Sequence, residues 1–374
     1  MNKKTFIIIG SSILGLLVAL ILIVWLISVF KPHYYEYEEL EEEMAKQAER
    51  YYKNNPDKLP SAEDGVILSY DTLVSGEYMK PLNEVLKDSS QCSAYVVVNK
   101  IGDVYSYTSY LNCGDAYKTT ELYRQILNDN PVVTTGSGLY KDTDGSYYFR
   151  GKVNNNYVAF GTTLNRKKET YDTLWRIISV DENNNVKLKR VESTNDKYTW
   201  DDRYNQNEVD RSGYNDFETS VIKDKLKELG NSEEILTSLE KGKIVAKKLC
   251  IGKRSWLDTS KDGSLECATL SEDEYIFGTI TPYEYLRASI DENCDNVKNG
   301  SCSNFNFLSN AMQNQEWLVT ADTDSNNFVY SFAGRSFSLE KAKSRRVIYP
   351  TINLNTYAFF KSGTGTEEDP YKIR

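Results

Sequence analysis

The feature that most constrains this chain is a run of 25 residues without a charge, Phe6 to Phe30 (FIIIGSSILGLLVALILIVWLISVF). At about 1.5 Å of rise per residue such a run spans a hydrocarbon core of ~30 Å with some tilt, so it reads as a transmembrane helix. A cleavable signal peptide has a shorter apolar stretch followed by small residues, whereas this one ends Ser28-Val29-Phe30-Lys31-Pro32. The expectation is an uncleaved signal anchor. Lys3 and Lys4 precede the run and an acidic stretch, Glu36 to Glu43, follows it. The positive-inside bias then puts the N-terminus in the cytoplasm and everything after Pro32 outside: a single-pass cell-membrane protein whose C-terminal bulk is extracellular. His33 falls at the emerging interface and reads as a wet interfacial residue. Ser11 and Gly15 have a small-xxx-small spacing, which recurs by chance in so apolar a run.

All six cysteines, Cys92, Cys113, Cys250, Cys267, Cys294 and Cys302, fall on the side read as external. An even count in an oxidising compartment points to disulfides. Of 15 pairings, the nearest-neighbour set Cys92–Cys113, Cys250–Cys267 and Cys294–Cys302 is favoured, because each pair closes a short segment within one domain.

Composition removes whole classes of function. The chain has 374 residues and a formal net charge of −9, so no cationic excess competes for nucleic-acid phosphates and nucleic acid is not an expected partner. Its single histidine excludes zinc sites needing several imidazoles and the Ser-His-Asp and Cys-His catalytic groupings. With 40% hydrophobic residues, 12% aromatic and 28 Tyr, the chain is that of a folded protein.

The periodicity of EYEELEEEMAKQAERYYKNN predicts a helix from Glu36 to about Asn54, stopped by Asn55-Pro56, with Leu40, Met44, Ala48 and Tyr51 on one stripe and the acidic side chains on a solvated face. Short strands are expected at Val66–Tyr70, Ala94–Asn99 and Val104–Tyr110, with a short helix over Asp71–Tyr78. Residues 1–33 are then cytoplasmic stub and anchor, 34–130 a first external domain, 131–138 a turn-rich linker and 139–374 a second domain. In the second, hairpins are expected around Asn154–Asn156 and Asp181–Asn185. A helix capped by Asn215 or Asp216 runs to Gly230, another opens at the capping box Thr281-Pro282-Tyr283-Glu284, and closing strands follow at Trp317–Thr320, Phe328–Phe332 and Arg346–Leu354. The class is α+β, with short strands and long loops.

The apolar N-terminal run followed by AERYYKNN, LPSAEDGVILSYDTLVSGEYMKPL and CSAYVVVNKIGDVYSYTSYLNCG resembles the pilin-like ectodomains of Gram-positive bacterial surface proteins. That resemblance implies a helix packed on an antiparallel sheet for residues 34–130. Lys3-Lys4-Thr5-Phe6-Ile7 lacks the prepilin cleavage site, so the likeness does not extend to filament processing. The phrases NNYVAFGTTLNRKKETYDTLWRIISVDENNNVKL, WDDRYN, LCIGKRSWLDTSKDGSLEC, EWLVTAD, RVIYPTINL and SGTGTEEDPYKI resemble an uncharacterised family of extracellular bacterial domains, for which a C-type-lectin-like or formylglycine-generating-enzyme-like fold is implied.

Carboxylates are the plentiful acid–base groups, which leaves a glycan hydrolase chemically open, but Asp201-Asp202, Asp322 with Asp324, and Glu272-Asp273-Glu274 read as solvated loop residues. Asp142-Thr143-Asp144-Gly145 and Asp322-Thr323-Asp324 carry alternate oxygen ligands. Calcium is the metal such loops could take, but a turn is preferred at both and no cofactor is expected. Ser-x-x-Lys at Ser220, Ser238 and Ser338 has no accompanying KTG motif and reads as coincidence. Trp200, Trp256 and Trp317 each adjoin polar loops; with Asp201, Asp202, Asp322 and Asp324 they are the candidate ligand-binding residues, although a place in the core is the preferred reading for each tryptophan. The expectation is a membrane-anchored surface protein for recognition or adhesion, binding a glycan, a cell-wall polymer or a protein, with no evident catalysis. Its alternatives are a carboxylate hydrolase and a structural subunit of a pseudopilus-like assembly.

Overall fold

A computed structural model describes residues 34–61, 65–101, 104–164 and 170–374. The chain divides into two compact units, the first holding residues 34–61, 65–98 and 107–118, the second 99–106 and 119–374.

In the first unit the helix Tyr37–Asn54 forms where the periodicity places it. Glu36 and Glu39 close a capping box at its start, and Leu40, Met44, Ala48, Tyr51 and Tyr52 are buried along one face. The acidic run is not wholly solvated: Glu41 is 2% exposed, and Tyr117 Oη donates to its Oε2 at 2.6 Å. Strands β1 (Val66–Ser69), β2 (Ser93–Ile101) and β3 (Val104–Asn112) form a sheet in that order, β1 antiparallel to β2. The helix lies on this sheet, with Ser109 Oγ donating to the Glu41 carbonyl at 2.6 Å and Tyr52 against Tyr107. Cys92 and Cys113 are joined by a disulfide.

The second unit is larger. Its strands in chain order are β4 (Gly138–Lys141), β5 (Tyr147–Arg150), β6 (Tyr157–Leu164), β7 (Thr170–Val180), β8 (Val186–Arg190), β9 (Tyr198–Thr199), β10 (Lys247–Cys250), β11 (Leu270–Tyr275), β12 (Glu316–Ala321), β13 (Phe328–Phe332), β14 (Phe337–Lys341), β15 (Arg345–Arg346), β16 (Thr351–Leu354), β17 (Phe360–Ser362) and β18 (Tyr371–Ile373). Eight of them make the main sheet, ordered β16-β8-β7-β6-β18-β17, with β5 paired to the far end of β7 and β4 to β5. β18 runs parallel to β6; the other pairings in this sheet are antiparallel. The hairpin turns carry their expected chemistry. Asn184 sits at φ 64°, a left-handed conformation that Asn tolerates, between β7 and β8. Strands β12, β13 and β14 form a separate antiparallel sheet, and β10 and β11 a third.

The strand β8, Val-Lys-Leu-Lys-Arg, divides the main sheet into two chemical faces because successive side chains alternate. On one, Ile177, Leu188 and Ile352 stand in register and are fully buried, as are Val186 and Leu354. On the other, Lys187 pairs with Glu284 of the helix Pro282–Ala288 at 2.5 Å, and Lys189 pairs with Glu316 of β12 at 2.9 Å. These two ion pairs tie the covering helix and the β12–β14 sheet to the polar face.

Two local details differ from expectation. Ser220, not Asp216 or Asn215, caps the helix Val221–Asn231; Asp216 caps a separate short turn, Phe217–Thr219, because Ser220 is extended and breaks the run. Leu270–Tyr275, whose acidic centre reads as a loop, is a strand.

One larger expectation is corrected. No helix among the described residues is long and apolar enough to cross a membrane. The longest, Tyr37–Asn54, has 18 residues and keeps acidic and basic side chains on its outer faces, so it satisfies the length but not the hydrophobicity of a span. The fold class is therefore a mixed α+β chain with seven α-helices and no transmembrane helix among the described residues, in place of one opened by an N-terminal transmembrane helix. The single-pass cell-membrane localisation is withdrawn with it. Phe6–Phe30, and with it His33 and the Ser11/Gly15 face, lies outside the described residues. Three disulfides stand in their place as a compartment marker: Cys92–Cys113, Cys250–Cys267 and Cys294–Cys302, consistent with an extracellular protein.

The four described tryptophans all belong to the second unit, so their emission reports its unfolding. Replacing Cys250 and Cys267 together by Ser frees a loop of 17 residues and is expected to lower that unit's stability by about 3 kcal/mol in a urea titration followed by tryptophan fluorescence. An unchanged midpoint would show that the crosslink does not restrain the unfolded chain.

Candidate functional site

The seven residues expected to bind ligand do not share a pocket. Trp200 and Trp317 are fully buried, and each indole is satisfied inside the protein: Trp200 Nε1 donates to the Leu318 carbonyl at 2.9 Å and Trp317 Nε1 to that of Tyr198 at 2.7 Å. Asp201 is buried too, and closes its own loop: it accepts from Arg203 Nε at 2.8 Å and from the Tyr214 amide at 3.0 Å. Gly213 is required in this loop, since at φ 78° a Cβ would stand 2.2 Å from the Asp201 carbonyl. Asp202 meets Arg211 at the surface. The remaining three are brought together. The segment after Arg254 runs beside Ala321–Thr323, with Arg254 N donating to the Ala321 carbonyl and Thr323 N to that of Arg254. Ser255 Oγ reaches Asp324 at 2.8 Å, and the Trp256 ring packs on Tyr330. Asn215 ties the Asp201 loop to this edge by donating to the Asp322 carbonyl at 2.9 Å. The result is a braced set of loops in which, of the seven candidates, only Asp202, Asp324 and part of Trp256 reach solvent.

The cavity the structure does build lies elsewhere in the second unit. It is a cleft of about 480 Å³ between the polar face of the main sheet, the turn before β5, the β10–β11 pair and the start of the helix Pro282–Ala288. Lys187, Thr351 and Asn353 come from the sheet, Asp142 and Asp144 from the turn, Lys247 and Leu270 from β10 and β11, and Tyr283, Glu284 and Arg287 from the helix. None of the seven expected residues lines it.

Three ion pairs stand on its walls, and Asp144, Glu182 and Asp262 line it outside those pairs. Glu284, 2% exposed, accepts from Lys187 through one oxygen, and from the Thr281 amide at 2.8 Å and hydroxyl at 3.0 Å through the other. Burial alone would raise its pKa; the Lys187 ammonium and the Thr281 donors outweigh that and hold it below the ordinary carboxylate range. Lys247 bonds Asp181 in the same way. Arg287 meets Asp142 at 3.3 Å, with its guanidinium over the rings of Tyr148 at 4.1 Å and Tyr283 at 5.4 Å. Burial pushes the Tyr283 phenol well above its usual range. Asp262 accepts from Ser260 and Ser264, which hold it ionised. Hydroxyls of Ser146, Ser179 and Thr279 and the apolar surfaces of Leu249, Leu270 and Ile276 complete the walls.

Two other carboxylates are raised by burial, Glu266 against Arg254 and Glu316 against Lys189, and both are held inside buried pairs. In the first turn of the calcium reading, Asp142 is engaged by Arg287 and the Thr143 amide and Asp144 by the Ser146 amide; in the second, Asp324 accepts from Ser255 while Asp322 Oδ1 is buried without a hydrogen-bond partner. Among the described residues no group of three or more His, Cys, Asp or Glu side chains is arranged to hold a metal ion. Of the Ser-x-x-Lys serines, Ser220 is a helix cap and Ser238 Oγ donates to Glu233.

Sequence reasoning missed the cleft because its walls come from segments over two hundred residues apart in the chain. The available signals were the alternation of Lys187 and Lys189 with Val186 and Leu188 and Glu284, whose capping-box role concealed a second one.

Replacing Lys187 by Met leaves Glu284 buried without its cation, at an expected cost of about 3 kcal/mol near pH 7. A carboxylate depressed in the folded state stabilises above its unfolded pKa and loses that contribution as pH falls through its folded value. The wild type should therefore lose stability on acidification, while in K187M the buried acid takes up a proton readily. Urea titrations should show the difference between the two proteins narrowing below about pH 5; a constant difference would separate Lys187 from the ionisation of Glu284. Comparison with known proteins finds no match: no family model, no curated protein and no solved structure resembles this chain.

Proposed function

We propose that the second unit is an extracellular recognition domain that binds a polar, hydroxyl-rich ligand, a glycan, in this cleft. The observation that carries the reading is the pairing of charges on the cleft walls. A sugar hydroxyl both donates and accepts, and neighbouring hydroxyls are met best where an acceptor and a donor stand side by side, as Asp142 with Arg287 and Asp181 with Lys247 do. Mutual bonding also fixes these side chains before the ligand arrives, which reduces the ordering cost of binding. Tyr283, Leu249 and Leu270 offer apolar surface to the C–H faces of a ring, and the serine and threonine hydroxyls supply further adaptable partners. Six carboxylates and four cationic side chains line the cleft, so its wall is net acidic and suits a neutral ligand better than an anionic one. Three disulfides support an oxidising exterior as the place where this happens.

The full-length protein is to be screened on an array of host glycans, cell-wall polymers and peptides. Glycan binding is expected, weakened at least tenfold by R287A and by K247A and little affected by D202N, which lies outside the cleft. Binding confined to peptides, or glycan binding insensitive to both cleft variants, would remove the reading.

A further inference from the structure

A second cavity in the same unit, about 240 Å³, shares no lining residue with the cleft and has a different chemistry. Its floor is the row Tyr157, Arg176 and Lys189, which stand in register across β6, β7 and β8 on the polar face of the main sheet. Arg176 is the unusual member. Its guanidinium is stacked on the Tyr157 ring at 4.0 Å and lies 5.3 Å from the Phe307 ring. Nε donates to Asn156 Oδ1 at 2.9 Å, Nη1 to the Tyr157 hydroxyl at 2.7 Å and Nη2 to the Val153 carbonyl at 2.9 Å. All three acceptors are neutral, and among the described residues no carboxylate stands within ion-pair distance. Arginine has five N–H donors, so one on each terminal nitrogen is left over. Beside it, Lys189 gives one bond to Glu316 and holds its ammonium over the Tyr349 ring at 4.3 Å. Glu367, exposed at the rim, accepts from the Tyr157 hydroxyl at 3.2 Å. Glu367 thus reaches Arg176 through the Tyr157 phenol and across space, without a direct ion pair.

We infer that this cavity binds the carboxylate of a small organic acid. A guanidinium with a donor left on each terminal nitrogen suits the two oxygens of a carboxylate, and the Lys189–Glu316 pair beside it adds no net negative charge to oppose one. The surfaces of Phe307, Leu308 and Val191 take the apolar part of such a ligand and make a fully hydrated dianion a poorer fit. Glu367 then acts as the internal competitor: it occupies the electrostatic role of the ligand and is displaced from Tyr157 when the acid enters. The site is independent of the cleft and of the proposal made for it.

Calorimetric titration of the full-length protein at low salt with N-acetylglycine, glucuronate and inorganic phosphate tests this. Both carboxylates are expected to bind and phosphate to bind at least tenfold more weakly. E367Q, an exposed change that leaves the fold alone, should tighten carboxylate binding at least threefold by removing the competitor, and R176Q should lose it. K247A, in the cleft, should leave it unchanged. If neither wild type nor E367Q takes up a carboxylate, if E367Q fails to tighten binding, or if phosphate binds as tightly as the acids, the inference is wrong.

Discussion

The arrangement of the second unit depends on two lysines of one strand. Lys187 and Lys189 stand on the same face of β8, between residues of the opposite, apolar face, and each reaches a glutamate supplied by a different covering element. Had that face been apolar, the helix Pro282–Ala288 and the β12–β14 sheet could have slid over it at little cost, because hydrophobic contact is non-directional. A buried ion pair has the opposite character. It is a poor source of net stability, since desolvation of both charges opposes the attraction between them, but a displaced partner leaves a bare charge in a dry interior. Register between the sheet and its cover is set by that penalty.

The same constraint explains why the sheet carries cavities at all. Close packing of aliphatic side chains leaves few voids larger than a water molecule. Long polar side chains that must meet in pairs hold the layers apart where they do not meet, and the two cavities open on either side of the Lys187 and Lys189 pairs. One is walled in part by charges that satisfy each other; the other presents a guanidinium whose partners are all neutral.

Local structure was legible where the pattern is local. The helix from Tyr37, the strands at β2, β7 and β13, and the helix opened by Thr281 follow from periodicity and caps that involve a few neighbouring residues. The strand Leu270–Tyr275 was not, because its pairing with β10 stabilises a sequence whose own side chains are acidic and solvated. The candidate site was hardly legible. Tryptophans beside polar residues suggested a surface, but Trp200 and Trp317 find backbone carbonyls on distant strands and sink into the core. Asp201 lies inside for a related reason, with Arg203 two residues away to neutralise it. Whether a polar group faces water or a partner is decided by residues brought near by the fold, and a single sequence does not show them.

The parallel strand β18 sits inside the main sheet, between β6 and β17, although it comes last in chain order. As the polypeptide leaves the ribosome, β6 is present roughly two hundred residues before its neighbour Tyr371–Ile373 arrives. Throughout that interval one flank of β6 offers unpaired amides and carbonyls to any passing strand. Export in an unfolded state followed by folding after release would spare the chain this exposure, and a protease nick between β17 and β18 would bring it back in the finished protein.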